Sequence, residues 1–155
     1  MPSSHTSPHI LIVEARYYEA IGETLFQGAV AALEAAGASW ERLEVPGAFE
    51  IPTAIEMTLR AMSAGKLPRP YDGFVTLGCV IRGETSHYDH VCEETARGVQ
   101  DVALRHAAAI GFGVLTVENG AQAWARARHD RKNKGGEAVA ACLAMVALRH
   151  RLGIG

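Results

Sequence analysis

Short apolar segments alternate with stretches of helical spacing along this chain, and that alternation leaves few folds open. His9–Ala15 (HILIVEA), residues 40–45, Gly73–Ile81 (GFVTLGCVI) and residues 112–117 (FGVLTV) are short, rich in β-branched residues and bounded by turn formers. They read as strands. Between the first two, residues 18–36 place Ile21, Leu25, Ala29 and Leu33 at helical spacing, and Gly37 stops the run. Pro46-Gly47 is a turn, residues 49–64 a helix with Pro52 tolerated in its first turn, and residues 65–70 a loop. A long helix runs from residue 84 or 86 to 109, and residues 122–128 and 137–152 are helices. Strands separated by helices pair in parallel, with helices over both faces of the sheet.

The 155 residues suit one domain, with residues 1–8 as a polar, flexible N-terminal arm. Fifteen Lys and Arg against seventeen Asp and Glu, with no basic stripe, argue against a nucleic-acid partner. The longest apolar run, residues 138–148, is too short to span a membrane. It is apolar almost all round, which calls for two apolar neighbours: the sheet and a second subunit. Cys79, Cys92 and Cys142 form no C-x-x-C pair, which suits reduced thiols in a cytoplasmic protein.

Ligands of open parallel sheets sit at the carboxyl ends of the strands, and those ends hold this chain's unusual chemistry. In GCVIRGETSHYDH (residues 78–90), Gly83 admits close backbone approach and Glu84-Thr85-Ser86 opens a helix, a place for an anion. Capping by Ser86 or Thr85, with Asp89 in the first turn, explains the same residues but not His87. His87 and His90, three apart, share a face, yet no third metal ligand is evident, so proton transfer by His87 is the better reading. In VPGAFEIP (residues 45–52), Gly47 and Ala48 leave room for a flat ligand and Glu50 can accept from a polyol or amine. By itself, a turn followed by a Glu at a helix start explains that stretch equally. In KNKGGEA (residues 132–138), Lys134 stands just before a helix, where the dipole favours anions; a phosphate shared with Arg126 reconciles the two, and a solvated basic loop is the alternative. Tyr17 and Phe112 are candidates for stacking on a heteroaromatic ring, and Phe112 equally for core packing.

Taken together, VPGAFEIP, GCVIRGETSHYD, FGVLTVEN-x-x-QA and NKGGEA resemble, in order and spacing, the lumazine synthase family over residues 10–152. The resemblance implies an α/β fold: a flavodoxin-like three-layer α/β/α sandwich with a four-stranded parallel sheet. It implies condensation of 5-amino-6-(D-ribitylamino)uracil with 3,4-dihydroxy-2-butanone 4-phosphate, without metal or cofactor, in sites between neighbouring subunits of a homopentamer. Riboflavin synthase is the partner protein it brings in. By motif, Tyr17 takes the place of the usual Phe or Trp against the pyrimidine. Ala48 and Glu50 match contacts to the ribityl arm, and Val80 and Ile81 the strand edge under the ring. Gly83, Glu84 and Thr85 match the phosphate loop, and His87 the proton-transfer residue. Phe112, Arg126 and Lys134 match residues supplied by the neighbouring subunit. The loop Arg128-His129-Asp130-Arg131-Lys132 lacks the turn glycines of shell-forming members, which favours a pentamer, or two paired face to face, over a sixty-subunit shell. A flavin binder or shell subunit on the same scaffold is the competing reading.

Overall fold

The computed structural model describes residues 7–154. The expected arm falls largely on residues 1–6, which lie outside the described residues. Four strands, β1 (His9–Ala15), β2 (Ser39–Val45), β3 (Gly73–Ile81) and β4 (Ile110–Val117), form one sheet in the order β2-β1-β3-β4. All three pairings are parallel. Five helices connect and follow them: α1 (Glu19–Ala35), α2 (Ile51–Ser63), α3 (His87–His106), α4 (Gly120–Ala127) and α5 (Lys134–Leu152). This is the three-layer α/β/α, flavodoxin-like architecture.

The two-residue period of β1 divides the core. Ile10 and Ile12 face α1 and α5, packing with Leu25, Leu33, Val139 and Cys142. Leu11 and Val13 face α2 and α3, packing with Ile51, Ile55, Val99 and Val102. A sheet covered on both faces needs continuous apolar strands, which is why β1 and most of β3 show no alternation.

Several boundaries differ from the expectation: α3 ends at His106 rather than 109, where Ala107 turns left-handed, and two others differ because of glycines. β4 begins at Ile110, not residue 112, since Ile110 and Gly111 continue the ladder opposite Phe74 and Val75. Gly111 resembles a strand breaker in sequence, but it is needed for close approach: a Cβ there would lie 1.9 Å from the Ala138 carbonyl oxygen of α5. Likewise α5 begins at Lys134 rather than 137. Gly135, in its first turn, lets α5 come against α1, where a Cβ would lie 2.2 Å from the Leu25 carbonyl oxygen. Asn133 caps this helix from a left-handed conformation, accepting from the Gly136 N–H at 3.3 Å.

The apolar α5 is shared unequally. Ala138, Val139, Cys142 and Val146 are buried, while Ala140, Ala141, Ala144 and Met145 remain exposed on its other side. The chain runs from β1 outward to β2, then returns to β3 on the other side of β1. That reversal opens a crevice above the carboxyl ends of β1 and β3.

Candidate active site

β3 overhangs its neighbour. The β1–β3 ladder ends at Glu14 opposite Leu77, whereas β3–β4 pairing continues to Ile81 opposite Val117. From Cys79 to Ile81 the side of β3 facing β1 therefore has no ladder partner. Backbone N–H and C=O groups need partners, and an open strand edge at the end of a sheet suits a planar heterocycle with donors and acceptors of its own.

The surrounding loops enclose that edge. β1 runs out into Arg16-Tyr17-Tyr18, and β2 into Pro46-Gly47 and a single 3₁₀ turn, Ala48–Glu50, before α2. With the first turn of α3 they bound a cleft of roughly 670 Å³. Six of the expected residues line it: Tyr17, Ala48, Glu50, Val80, Ile81 and His87. Tyr17 is 78% exposed and stands edge-on to Tyr18, whose ring packs into the core. Glu50 and His87 are both exposed at the rim.

Phe49, Tyr18, Cys79, His90 and Val91 also line the cleft without having been assigned there. Phe49 stands inside VPGAFEIP and His90 one turn beyond His87, so both carried a positional signal; an apolar residue such as Val91 carried none. The Cys79 thiol is pushed up to about 11 by burial, so it is a neutral wall of the cleft rather than a nucleophile.

Gly83, Glu84 and Thr85 form the exposed loop that joins the strand edge to α3, beside the cleft rather than in its lining. Thr85 Oγ1 accepts from the His87 N–H at 3.3 Å. Ser86 occupies the N-cap position, but its side chain makes no capping bond. Capping by Ser86 is thus not what this segment is built for. Asp89 is explained differently: it lies 3.3 Å from Arg82 Nη1, while Arg82 Nε donates to Glu118 at 2.7 Å and the guanidinium lies over the Tyr88 ring. Asp89 steadies the loop through Arg82.

Phe112, Arg126 and Lys134 stand apart from this cleft. Phe112 is 43% exposed on the edge strand β4. Arg126, half-buried in the last turn of α4, donates from Nη1 to the Gln122 carbonyl at 3.1 Å. Lys134 is the first residue of α5 rather than the residue before it, and its ammonium pairs with Glu137 at 3.0 Å. Glu137 and the Asn133 cap therefore already serve the helix dipole, and Lys134 needs no bound phosphate to be accommodated. Among the described residues, no three His, Cys, Asp or Glu gather as a metal site.

The model of the 6,7-dimethyl-8-ribityllumazine synthase family matches residues 7–150. The chain belongs to that family. It is 50% identical over 153 residues to 6,7-dimethyl-8-ribityllumazine synthase of Bartonella tribocorum, covering 99% of this chain and 97% of the relative. It is 53% identical to the synthase of Azorhizobium caulinodans, over 94% of this chain and 89% of the relative. With 6,7-dimethyl-8-ribityllumazine synthase 1 of Rhizobium meliloti it shares 52%, over 94% of each. Lumazine synthase membership places the cleft in an enzyme fold, and it favours the catalytic reading over a generic receiver domain. The latter would need an Asp ending β3, where this chain has Cys79-Val80-Ile81.

Proposed function

We propose that this chain condenses 5-amino-6-(D-ribitylamino)uracil with 3,4-dihydroxy-2-butanone 4-phosphate to give 6,7-dimethyl-8-ribityllumazine, phosphate and water, the penultimate step of riboflavin biosynthesis. The observation that carries this reading is the open edge of β3 from Cys79 to Ile81, flanked by Tyr17 on one side and His87 on the other. The pyrimidine lies along Val80 and Ile81 with Tyr17 against its ring. The ribityl hydroxyls donate to Glu50, with Ala48 leaving space for the chain. The butanone phosphate rests on Gly83, Glu84 and Thr85, just before the start of α3.

The chemistry follows from that placement. The 5-amino group attacks the ketone, water leaves, phosphate departs, and the ribitylamino nitrogen closes the ring with loss of a second water. His87, at the edge of both substrates, moves protons between the nitrogen and the departing oxygens. Condensation and elimination conserve the overall oxidation level, so no redox cofactor is called for. Phe112, Arg126 and Lys134 act on the cleft of a neighbouring copy: Phe112 closes over the ring, and Arg126 and Lys134 hold the phosphate.

The assembly proposed is a homopentamer, alone or paired face to face. Supporting it are apolar side chains left open on three elements: Leu104 of α3 (72% exposed), Phe112 of β4, and Met145 with the neighbouring alanines of α5. Three free cysteines fit a reducing cytoplasm, and riboflavin synthase is the proposed protein partner because it consumes the product. The test mixes both substrates with the purified protein and follows lumazine absorbance. Product formation no faster than in buffer would leave a binding or shell protein as the better description.

A further inference from the structure

The loop that presents Tyr17 is tied down on one side by the Tyr18 ring, which packs against the core. Tyr18 is the N-cap residue of α1, and it makes no side-chain capping bond. Tyr17 itself is mostly solvent-exposed. An exposed ring has several rotamers open to it, so its direction depends on how firmly the loop is held on its other side.

The holding contacts lie beneath it. Glu14 of β1, two residues before Arg16, is only 2% exposed yet carries a carboxylate in the core layer. Arg42 of β2 grips it with both arms of its fork: Nε to Oε2 at 3.0 Å and Nη2 to Oε1 at 2.9 Å. The same Arg42 guanidinium lies 3.8 Å over the Phe26 ring of α1. Arg16 Nη1 approaches Glu14 Oε1 at 3.2 Å, and Arg16 Nη2 donates to Glu23 of α1 at 2.5 Å. Gln27, one turn further, donates to the other oxygen of Glu23 at 2.7 Å. The Arg16 stem lies across Gly22, where a Cβ would meet it at 3.6 Å, an ordinary van der Waals contact. Arg16 thus bridges β1 and α1 across the very loop that bears Tyr17, and its side chain is only 15% exposed.

We infer that Arg16, bridging the buried Glu14 and the helical Glu23, is a positioning residue that fixes the β1–α1 loop so that Tyr17 is presented over the open edge of β3. This rests on the proposed contact between Tyr17 and the pyrimidine. A planar guanidinium between two carboxylates holds direction as well as distance, which a lysine would not reproduce. Freeing the loop makes binding of the pyrimidine reorder it, and ordering a side chain on binding typically costs enough to weaken affinity by roughly three- to tenfold. The phosphate-bearing substrate, bound at the far end of the cleft, is spared.

The test is a double-mutant cycle with Arg16→Ala, Tyr17→Ala and the two combined, each first shown to sediment as the parent does. Glu14 keeps both bonds to Arg42 when Arg16 is removed, so the buried carboxylate is not orphaned. Glu23→Ala is the second probe, because it frees Arg16 from α1 at the protein surface without touching the core. The expected result is that Arg16→Ala and Glu23→Ala each raise KM for the pyrimidine roughly three- to tenfold, with KM for the butanone phosphate and kcat within twofold. The combined variant is then no worse than Tyr17→Ala, because the lock has nothing left to position. Additive losses in the combined variant, or equal rises in both KM values, would overturn the inference. A Tyr17→Ala variant with unchanged pyrimidine KM would overturn both the inference and the ring contact it rests on. A Tyr17→Ala variant with a raised KM beside normal Arg16→Ala and Glu23→Ala would sink the lock alone.

Discussion

Gly83 and Gly111 each lie close to an end of an apolar strand segment in the sequence, but they carry opposite predictions. A Cβ on Gly111 would sit 1.9 Å from the Ala138 carbonyl oxygen, where contacts under 3.0 Å are essentially never seen. The obstacle is helix backbone, so it cannot rotate away. α5 must withdraw by about an ångström, and it is already seated against α1 through Gly135. Overpacking of this kind costs about 1–3 kcal/mol, and a rigid backbone obstacle belongs at the upper end. For a domain of this size, about 3 kcal/mol corresponds to a fall of roughly 6–12 °C in the unfolding midpoint. A Cβ on Gly83, by contrast, meets nothing within 4 Å, and the residue's φ is not positive. Its substitution by Ala should move stability by no more than about 0.5 kcal/mol. If the loop receives phosphate through its backbone, however, the added methyl obstructs the ligand. We expect KM for the butanone phosphate to rise roughly tenfold, the equivalent of about 1.4 kcal/mol, with the pyrimidine KM unchanged. Thermal unfolding by circular dichroism and steady-state kinetics on Gly83→Ala and Gly111→Ala separate the two roles. A Gly83→Ala protein that melts early, or that keeps its phosphate-substrate KM, would refute the assignment of that loop. A Gly111→Ala protein with an unchanged midpoint would refute the packing argument.

That contrast also marks how far the sequence could be read. Hydrophobic period and turn formers were enough to place four strands and the helices between them, because a sheet buried on both faces needs apolar runs such as those of β1 and β3. Two of the boundary errors fell where glycine serves packing rather than turning, and a third where Ala107 adopts a left-handed conformation that ends α3 early. Gly111 and Gly135 are invisible as packing sites until the helix that crosses them is in place. Tyr17, Glu50 and His87, which line the cleft, were picked out because strand-end loops in parallel sheets hold ligands and these residues carry suitable chemistry, whereas Val80 and Ile81 came only with the family resemblance. The overhang of β3 was not legible, since it depends on where β1 stops pairing. Nor was the role of Asp89: its partner Arg82 is seven residues away, and nothing in the spacing distinguishes that pair from a bond to His87 or a helix cap. Arg16 was hidden for a similar reason. Its partners, Glu14 and Glu23, belong to two elements whose relative placement only the fold supplies.

The remaining predictions concern acid stability and catalysis. The Arg105 guanidinium, with His106 beside it, holds the Glu56 carboxyl below the usual glutamate range, both partners at 2.5 Å. A carboxylate depressed in the folded state stabilises above its unfolded pKa and loses that contribution as pH falls through the folded value. Glu56→Gln should therefore lower the urea midpoint at neutral pH, and the gap to the parent should shrink as the pH falls below the ordinary glutamate range; a gap that does not shrink in acid would exclude the α2–α3 ion pair as the cause. The catalytic prediction ranks His87 against Arg126. His87 is the exposed first residue of α3, and among the described residues the Arg126 side chain bonds only to a carbonyl of its own helix, so neither ties two elements of the fold together through a side-chain hydrogen bond. Amine attack on a ketone proceeds slowly in water once the reactants meet, so holding the two substrates together supplies much of the acceleration. Positioned proton transfer typically adds about 10²–10⁴-fold, and exposure of His87 lets solvent replace part of it, which places its loss at or below the low end. Arg126 is proposed to fix the phosphate that orients the second substrate, and no solvent molecule substitutes for a planar guanidinium. His87→Ala should retain measurable turnover, and Arg126→Ala much less at equal substrate. The comparison is made as single-turnover rates on variants that assemble as the parent does. Should His87→Ala prove the slower enzyme, proton transfer outweighs positioning, and the cleft works chiefly as an acid–base catalyst.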